Sequence, residues 1–143
     1  MKGILATLIF VALGLAHAAA AERPKATMYK QPFCGCCDGH ADHLRENGFE
    51  VTVLQDEPLP VIKKRHRVPQ EFEGCHTTIV GGYVVEGHVP ATTIRRLLKE
   101  RPAIRGISLP GMPDGSPGMT GKKKESFVIY EFGDGDSKVY ARE

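Results

Sequence analysis

The sequence predicts an α/β domain of order βαβαββα, followed by a Pro/Gly-rich loop and a β-hairpin extension. Three observations predict it. Short β-branched runs alternate with stretches of helical apolar spacing along residues 27–102. Gly and Pro punctuate the junctions between them. Three of the four cysteines crowd into Cys34-Gly35-Cys36-Cys37, at a strand-to-helix turn.

The elements follow in order. Thr27 to Lys30 reads as a short strand, and Pro32 and Gly35 mark the turn after it. Cys37, Ala41 and Leu44 have the i, i+4, i+7 spacing of a buried helix stripe, which Gly48 ends in the C′ role. Phe49 to Leu54 alternates and is β-branched, so it is a strand. Pro58 to Arg67 suits a second helix, opened by acidic Asp56-Glu57 and stopped before Pro69. Thr77 to Val80 and Tyr83 to Glu86 are strands joined by the two-residue loop Gly81-Gly82. Pro90 in a first turn starts a helix through Ile94, Leu97 and Leu98, which Pro102 stops. Leu109 to Gly121 is the Pro/Gly-rich loop, carrying Met112 and Met119. Phe127 to Phe132 and Lys138 to Arg142 form a hairpin around Gly133-Asp134-Gly135-Asp136, with apolar residues on both faces of its first strand.

Residues 1–20 read as a secretory signal. Lys2 is the positive n-region, Ile4 to Leu15 is the apolar run, and Ala16-His17-Ala18 with the following alanines offers the cleavage pattern. The run is too short for a membrane span. Residues 21–143 then form one domain in a compartment that favours thiol oxidation. Net charge is +2, and removal of Lys2 leaves +1, which gives no argument for a nucleic-acid partner. The basic runs Lys63-Lys64-Arg65-His66-Arg67 and Lys122-Lys123-Lys124 read as solvated faces.

The element order has a geometric consequence. Strands one and two, joined through a helix, should be parallel. If strand three is antiparallel to strand one, and strand four to strand three, then three chain segments share one sheet edge. These are Cys34 to Cys37, Cys75-His76 and Gly87-His88. Thiolates are soft donors, so the edge suits a soft metal or thiol–disulfide exchange.

Several segments carry a family resemblance: Tyr29 to Cys37, His43 to Phe49, Cys75-His76-Thr77, Gly81 to Pro90, and Pro110 to Met119. With them the chain resembles glutaredoxin and thioredoxin-like domains, and more specifically the CopG-type periplasmic copper-resistance family. His40 stands where that family often carries tryptophan. The resemblance implies a thioredoxin-like fold, a periplasmic setting and a cysteine-ligated copper site. It suggests copper ions, and other periplasmic copper carriers or efflux components, as partners.

Cys34 and Cys37 make a CxxC at a helix start, where the dipole favours thiolate. That suits either chemistry. Cys36 favours metal, because two-cysteine exchange needs no third thiol. Cys75 adds a fourth where thioredoxin-like domains normally place a cis-proline. Adjacent Cys36 and Cys37 are expected to point apart, so bridging thiolates on more than one copper(I) ion fit better than a single tetrahedral ion. Zinc fits less well, since zinc sites prefer two separated ligand pairs; copper(II) is a second oxidation state to consider. His88 and His76 are candidate ligands from the same edge. Met112 and Met119 offer thioethers, which suit copper(I), or simply pack the loop. His43, about 10 Å along the helix from Cys36, reads as a core hydrogen bonder. The expected function is copper binding in copper tolerance, with thiol–disulfide exchange through Cys34 and Cys37 as the alternative.

Overall fold

Alternation places the first strand. β1 (Lys25–Lys30) buries Ala26, Met28 and Lys30 and leaves the residues between them more open, as a period of two requires. The computed structural model of the chain describes residues 22–143. The signal expected at 1–20 lies outside them. Among the described residues no helix is long and apolar enough to cross a membrane.

Helix α1 (Gly35–Glu46) buries Cys37, His40, Ala41 and Leu44 on one stripe. Gly48 follows it at φ 78°, the left-handed C′ conformation that glycine adopts without strain. Then come β2 (Glu50–Leu54), α2 (Leu59–Arg65), a 3-10 turn at Gln70–Phe72, β3 (His76–Val80), β4 (Tyr83–Gly87) and α3 (Ala91–Glu100). The chain continues through β5 (Gly106–Leu109), β6 (Val128–Phe132) and β7 (Lys138–Arg142).

The seven strands form one sheet of order β2-β1-β3-β4-β5-β6-β7. β1 is parallel to β2 and antiparallel to β3, and β3 is antiparallel to β4. The convergence expected from the strand directions is therefore present. The tail differs from expectation. The short run Gly106–Leu109 is a strand, parallel to β4 and paired on its other side with β6. The C-terminal hairpin thus continues the main sheet. β5 is buried along its whole length, so it lacks the polar alternation that marks a half-exposed strand.

One sheet face packs under α1 and α3, with Met28, Leu44, Ile94, Leu97, Ile107 and Ile129 in its core. The other carries Val68, Phe72, Val84 and Phe132, with Ile79 and Tyr130 against them. β6 feeds both faces, Ile129 to the first and Phe132 to the second.

Lys63 corrects the solvated reading of its basic run. Its side chain is 5% exposed and pairs with Glu86, which is wholly buried. Glu86 Oε2 also accepts from Thr77 Oγ1 at 2.7 Å, and Oε1 from the Gly74 amide at 2.8 Å. Burial pushes the Glu86 carboxyl upward and the Lys63 cation opposes this. Removing one partner of a buried pair leaves the other uncompensated, a loss of about 3–5 kcal/mol. Lys63→Met should therefore lower unfolding free energy by about that amount at neutral pH. The defect should shrink in acid, where Glu86 takes a proton. Urea titration at two pH values checks this; equal stability to the parent at neutral pH would remove the pair from the account.

Candidate metal centre

The turn from β1 into α1 aims the first three sulfurs. Lys30, the last residue of β1, is buried and reaches Asp38 in the first turn of α1 at 3.0 Å. Between them Phe33 is fully exposed at φ 59°, a strained conformation for an aromatic residue. Cys34 is the N-cap of α1, so Cys36 and Cys37 lie in its first turn. Cys37 is buried, whereas Cys34, Cys36 and Cys75 are half-buried.

Cys75 arrives from the other direction. Lys30 pairs with His76 across β1 and β3, so the residue before β3 lies beside the motif that follows β1. The Glu86 carboxylate holds the adjoining Gly74 amide. Cys34 and Cys37 are joined by a disulfide, and Cys36 and Cys75 are free thiols. Cys75 Sγ lies 3.3 Å from Cys37 Sγ, and Cys36 Sγ lies 3.5 Å from Cys34 Sγ. All four sulfurs fall within 4.8 Å of one another. The expectation that Cys36 and Cys37 diverge is thereby corrected: the tight first turn keeps both sulfurs on the Cys75 side.

Two imidazoles complete the cluster. His88 Nε2 is 3.4 Å and His76 Nδ1 is 3.5 Å from Cys75 Sγ. Cys75, His76 and His88 form a second donor group that shares Cys75 with the four sulfurs. His88 Nδ1 donates to the Pro117 carbonyl at 2.7 Å. A carbonyl only accepts, so neutral His88 keeps its lone pair on Nε2, toward Cys75. Burial holds the His88 imidazole below its ordinary range. Burial, then the Cys36 thiol, pushes the Cys75 thiol up to about 11. The metal-free site therefore holds a neutral thiol at Cys75 and a neutral imidazole at His88 near neutral pH.

The Pro/Gly-rich loop does return to this edge. Gly118, at φ 83°, lies so close to α1 that a Cβ there would meet His40 N at 2.4 Å and Cys36 O at 2.5 Å. Met119 is half-buried beside it, while Met112 is 40% exposed. His43 Nε2 accepts the Ala91 amide at 3.2 Å, at the start of α3.

His40 is the residue that sequence reasoning underrated. Standing where the family often carries tryptophan, it is wholly buried behind the cysteines. Its Nδ1 is 2.8 Å from His76 Nε2 and its Nε2 is 2.9 Å from the Val89 carbonyl. The signal was its place three residues after Cys37, on the same helix face.

A family model described as a protein of unknown function, DUF411, matches residues 72–119. Two solved structures, described as copper resistance protein CopG in forms 2 and 1, are each 36% identical and cover 85% of this chain. They are covered over 99% and 98% of their own length, with TM-scores of 0.79 and 0.78. The chain belongs to the CopG copper-resistance family. No curated protein gives a significant match.

Two expected outcomes follow from the metal-free geometry. Burial, opposed by the Val89 carbonyl and aided by the neighbouring His88 and His43, pulls the His40 imidazole from 6.5 to about 3. Below pH 6.5 the unfolded chain then binds a proton at this position that the folded chain does not. Stability should be flat above that value and fall as pH drops toward 3, relative to His40→Gln. Using the difference removes Glu86, whose upward shift acts in the opposite sense. Parallel stability curves for the two proteins between pH 7 and 4 would contradict the buried neutral imidazole.

Mild oxidation of the reduced, metal-free protein should also yield some Cys37–Cys75 disulfide beside Cys34–Cys37, since those sulfurs are already in contact. Peptide mapping reads both links. A complete lack of the Cys37–Cys75 link would show that Cys75 does not reach the motif in solution.

Proposed function

We propose that this protein is a periplasmic copper-binding protein of thioredoxin-like fold. It holds copper(I) in a multinuclear thiolate site and contributes to copper resistance by sequestration, transfer or redox buffering. The ligands are Cys34, Cys36, Cys37 and Cys75, with His76 and His88 from the same edge. Met119 is better placed than exposed Met112 to add a thioether. The observation that carries the reading is the shared sulfur of Cys75, which belongs at once to the four-thiol group and to the Cys75-His76-His88 group. Two overlapping donor groups suit bridged ions better than one. Soft sulfur and borderline imidazole donors suit copper, and the solved relatives are described as copper resistance proteins.

A second reading has its own observation. The Cys34–Cys37 disulfide at the start of α1 is the arrangement a thiol–disulfide oxidoreductase uses. The two readings meet if the pair must be reduced before it can hold copper.

Metal analysis of protein purified anaerobically from the periplasm should find more than one copper(I) per chain. One ion or none, with zinc in its place, would overturn the reading. Cys36→Ser leaves the Cys34–Cys37 pair intact. It should lower copper capacity and copper tolerance while leaving any disulfide exchange unchanged. Unaltered copper capacity, with exchange activity retained, would favour the oxidoreductase.

A further inference from the structure

Two of the three buried imidazoles beside the cysteines, His40 and His76, form a hydrogen-bonded chain with one fixed end. The Val89 carbonyl is 2.9 Å from His40 Nε2. A carbonyl oxygen has no proton to give, so His40 Nε2 carries the hydrogen and donates. Among the described residues no carboxylate hydrogen-bonds to His40, His76 or His88. His40 and His76 are wholly buried, so no counter-charge meets the cost of charging them, and the Val89 and Gly87 carbonyls offset less than burial takes. Both rings are therefore neutral, with one N–H each. His40 Nδ1 is then bare and accepts, and its partner 2.8 Å away, His76 Nε2, must donate. That leaves the lone pair of His76 on Nδ1, the nitrogen 3.5 Å from Cys75 Sγ.

We infer that His40 is a positioning residue for the metal centre: through the Val89 carbonyl it fixes the His76 tautomer that presents a bare Nδ1 to the metal beside Cys75. The inference rests on the copper reading only in taking His76 as a ligand. His40 itself touches no metal, because both of its ring nitrogens are engaged. Its action is that of an outer partner which fixes the tautomer and orientation of a ligating imidazole. Without the His40 bond, the Gly87 carbonyl is the other acceptor beside the His76 ring, and the hydrogen is free to move to Nδ1. That tautomer has no lone pair on the nitrogen that faces Cys75.

The test uses the full mature chain, with His40→Phe, His40→Gln and His76→Ala. Phe fills the space and makes neither hydrogen bond. Gln can restore both, its amide N–H donating to Val89 and its carbonyl accepting from His76. Nitrogen-15 NMR of the metal-free protein reads the His76 tautomer directly. The wild type and His40→Gln should show hydrogen on Nε2, and His40→Phe should show a mixture or hydrogen on Nδ1. Hydrogen on Nδ1 of His76 in the wild type overturns the inference, whatever the variants do.

Copper(I) affinity, by competition with a coloured chelator under reducing conditions, is the second arm. His40→Phe should weaken binding by roughly 10–100-fold, the range for losing such an outer partner, and His40→Gln should recover most of it. In a His76→Ala background, His40→Phe should add little. If His76→Ala weakens binding but His40→Phe does not, the positioning role fails and the ligand stands. If His76→Ala leaves affinity unchanged, His76 is not a ligand; the role of His40 falls with it, and the thiolate site remains to be judged on its cysteines.

Discussion

The antiparallel register of β1 against β3 decides what the rest of the molecule can do. It sets Lys30 opposite His76 at the end of the two strands. Everything chemical in the chain follows from that pairing, because the cysteine motif leaves β1 just beyond Lys30 and Cys75 enters β3 just before His76. A shift of one residue would turn His76 to the other sheet face, away from His40 and α1. The register is held by burial on both faces: Met28 and Val80 face the α1 and α3 core, while Thr77 meets Lys63 on the α2 side.

Two buried cations clamp the two loops that carry the thiols. Lys30 reaches across the first loop to Asp38. Lys63 neutralises Glu86, which is thereby able to hold the Gly74 amide next to Cys75. Buried ion pairs are weak sources of stability, since desolvation offsets most of the attraction. Here their geometric effect is the clearer one. Each ties a thiol-bearing loop to a strand or helix of the core. The Pro117 carbonyl and the close approach of Gly118 to α1 do the same for the third segment.

Much of this was legible from sequence, for identifiable reasons. The strand-helix order could be read because the apolar spacing switches cleanly between periods, and the order implied the meeting of Cys34 to Cys37 with Cys75, His76 and His88. β5 was missed because Gly106–Leu109 is short and buried on both faces, so it shows no alternation. Lys63 was misread because a basic run looks the same whether its second neighbour is water or Glu86; only the fold brings Glu86 beneath it. His40 was underrated because a histidine on a buried stripe has no meaning until its partners are known, and Val89 and His76 are 49 and 36 residues away. The seating of the Met112–Met119 loop was illegible for a similar reason. It depends on a backbone contact at Gly118, which leaves no mark in composition.

Burial at this edge acts in opposite directions on its two kinds of donor. It raises the Cys75 thiol to about 11, so the sulfur keeps its proton at neutral pH. It lowers His76 and His88, so the imidazoles keep their lone pairs. An arriving cation therefore displaces a proton from sulfur but none from nitrogen. Only an ion with a strong preference for thiolate recovers the free energy of that displacement. Hard cations, which bind thiolate poorly, do not. On the copper reading, the desolvation that makes Cys75 a poor free nucleophile is the same desolvation that favours a soft ion. The Cys34–Cys37 disulfide acts on the other side of the balance, because closing it withdraws two of the four sulfurs and leaves Cys36, Cys75 and the imidazoles. On that reading thiol oxidation and metal occupancy compete for the same atoms, and the state of that one disulfide sets how many soft donors the centre offers.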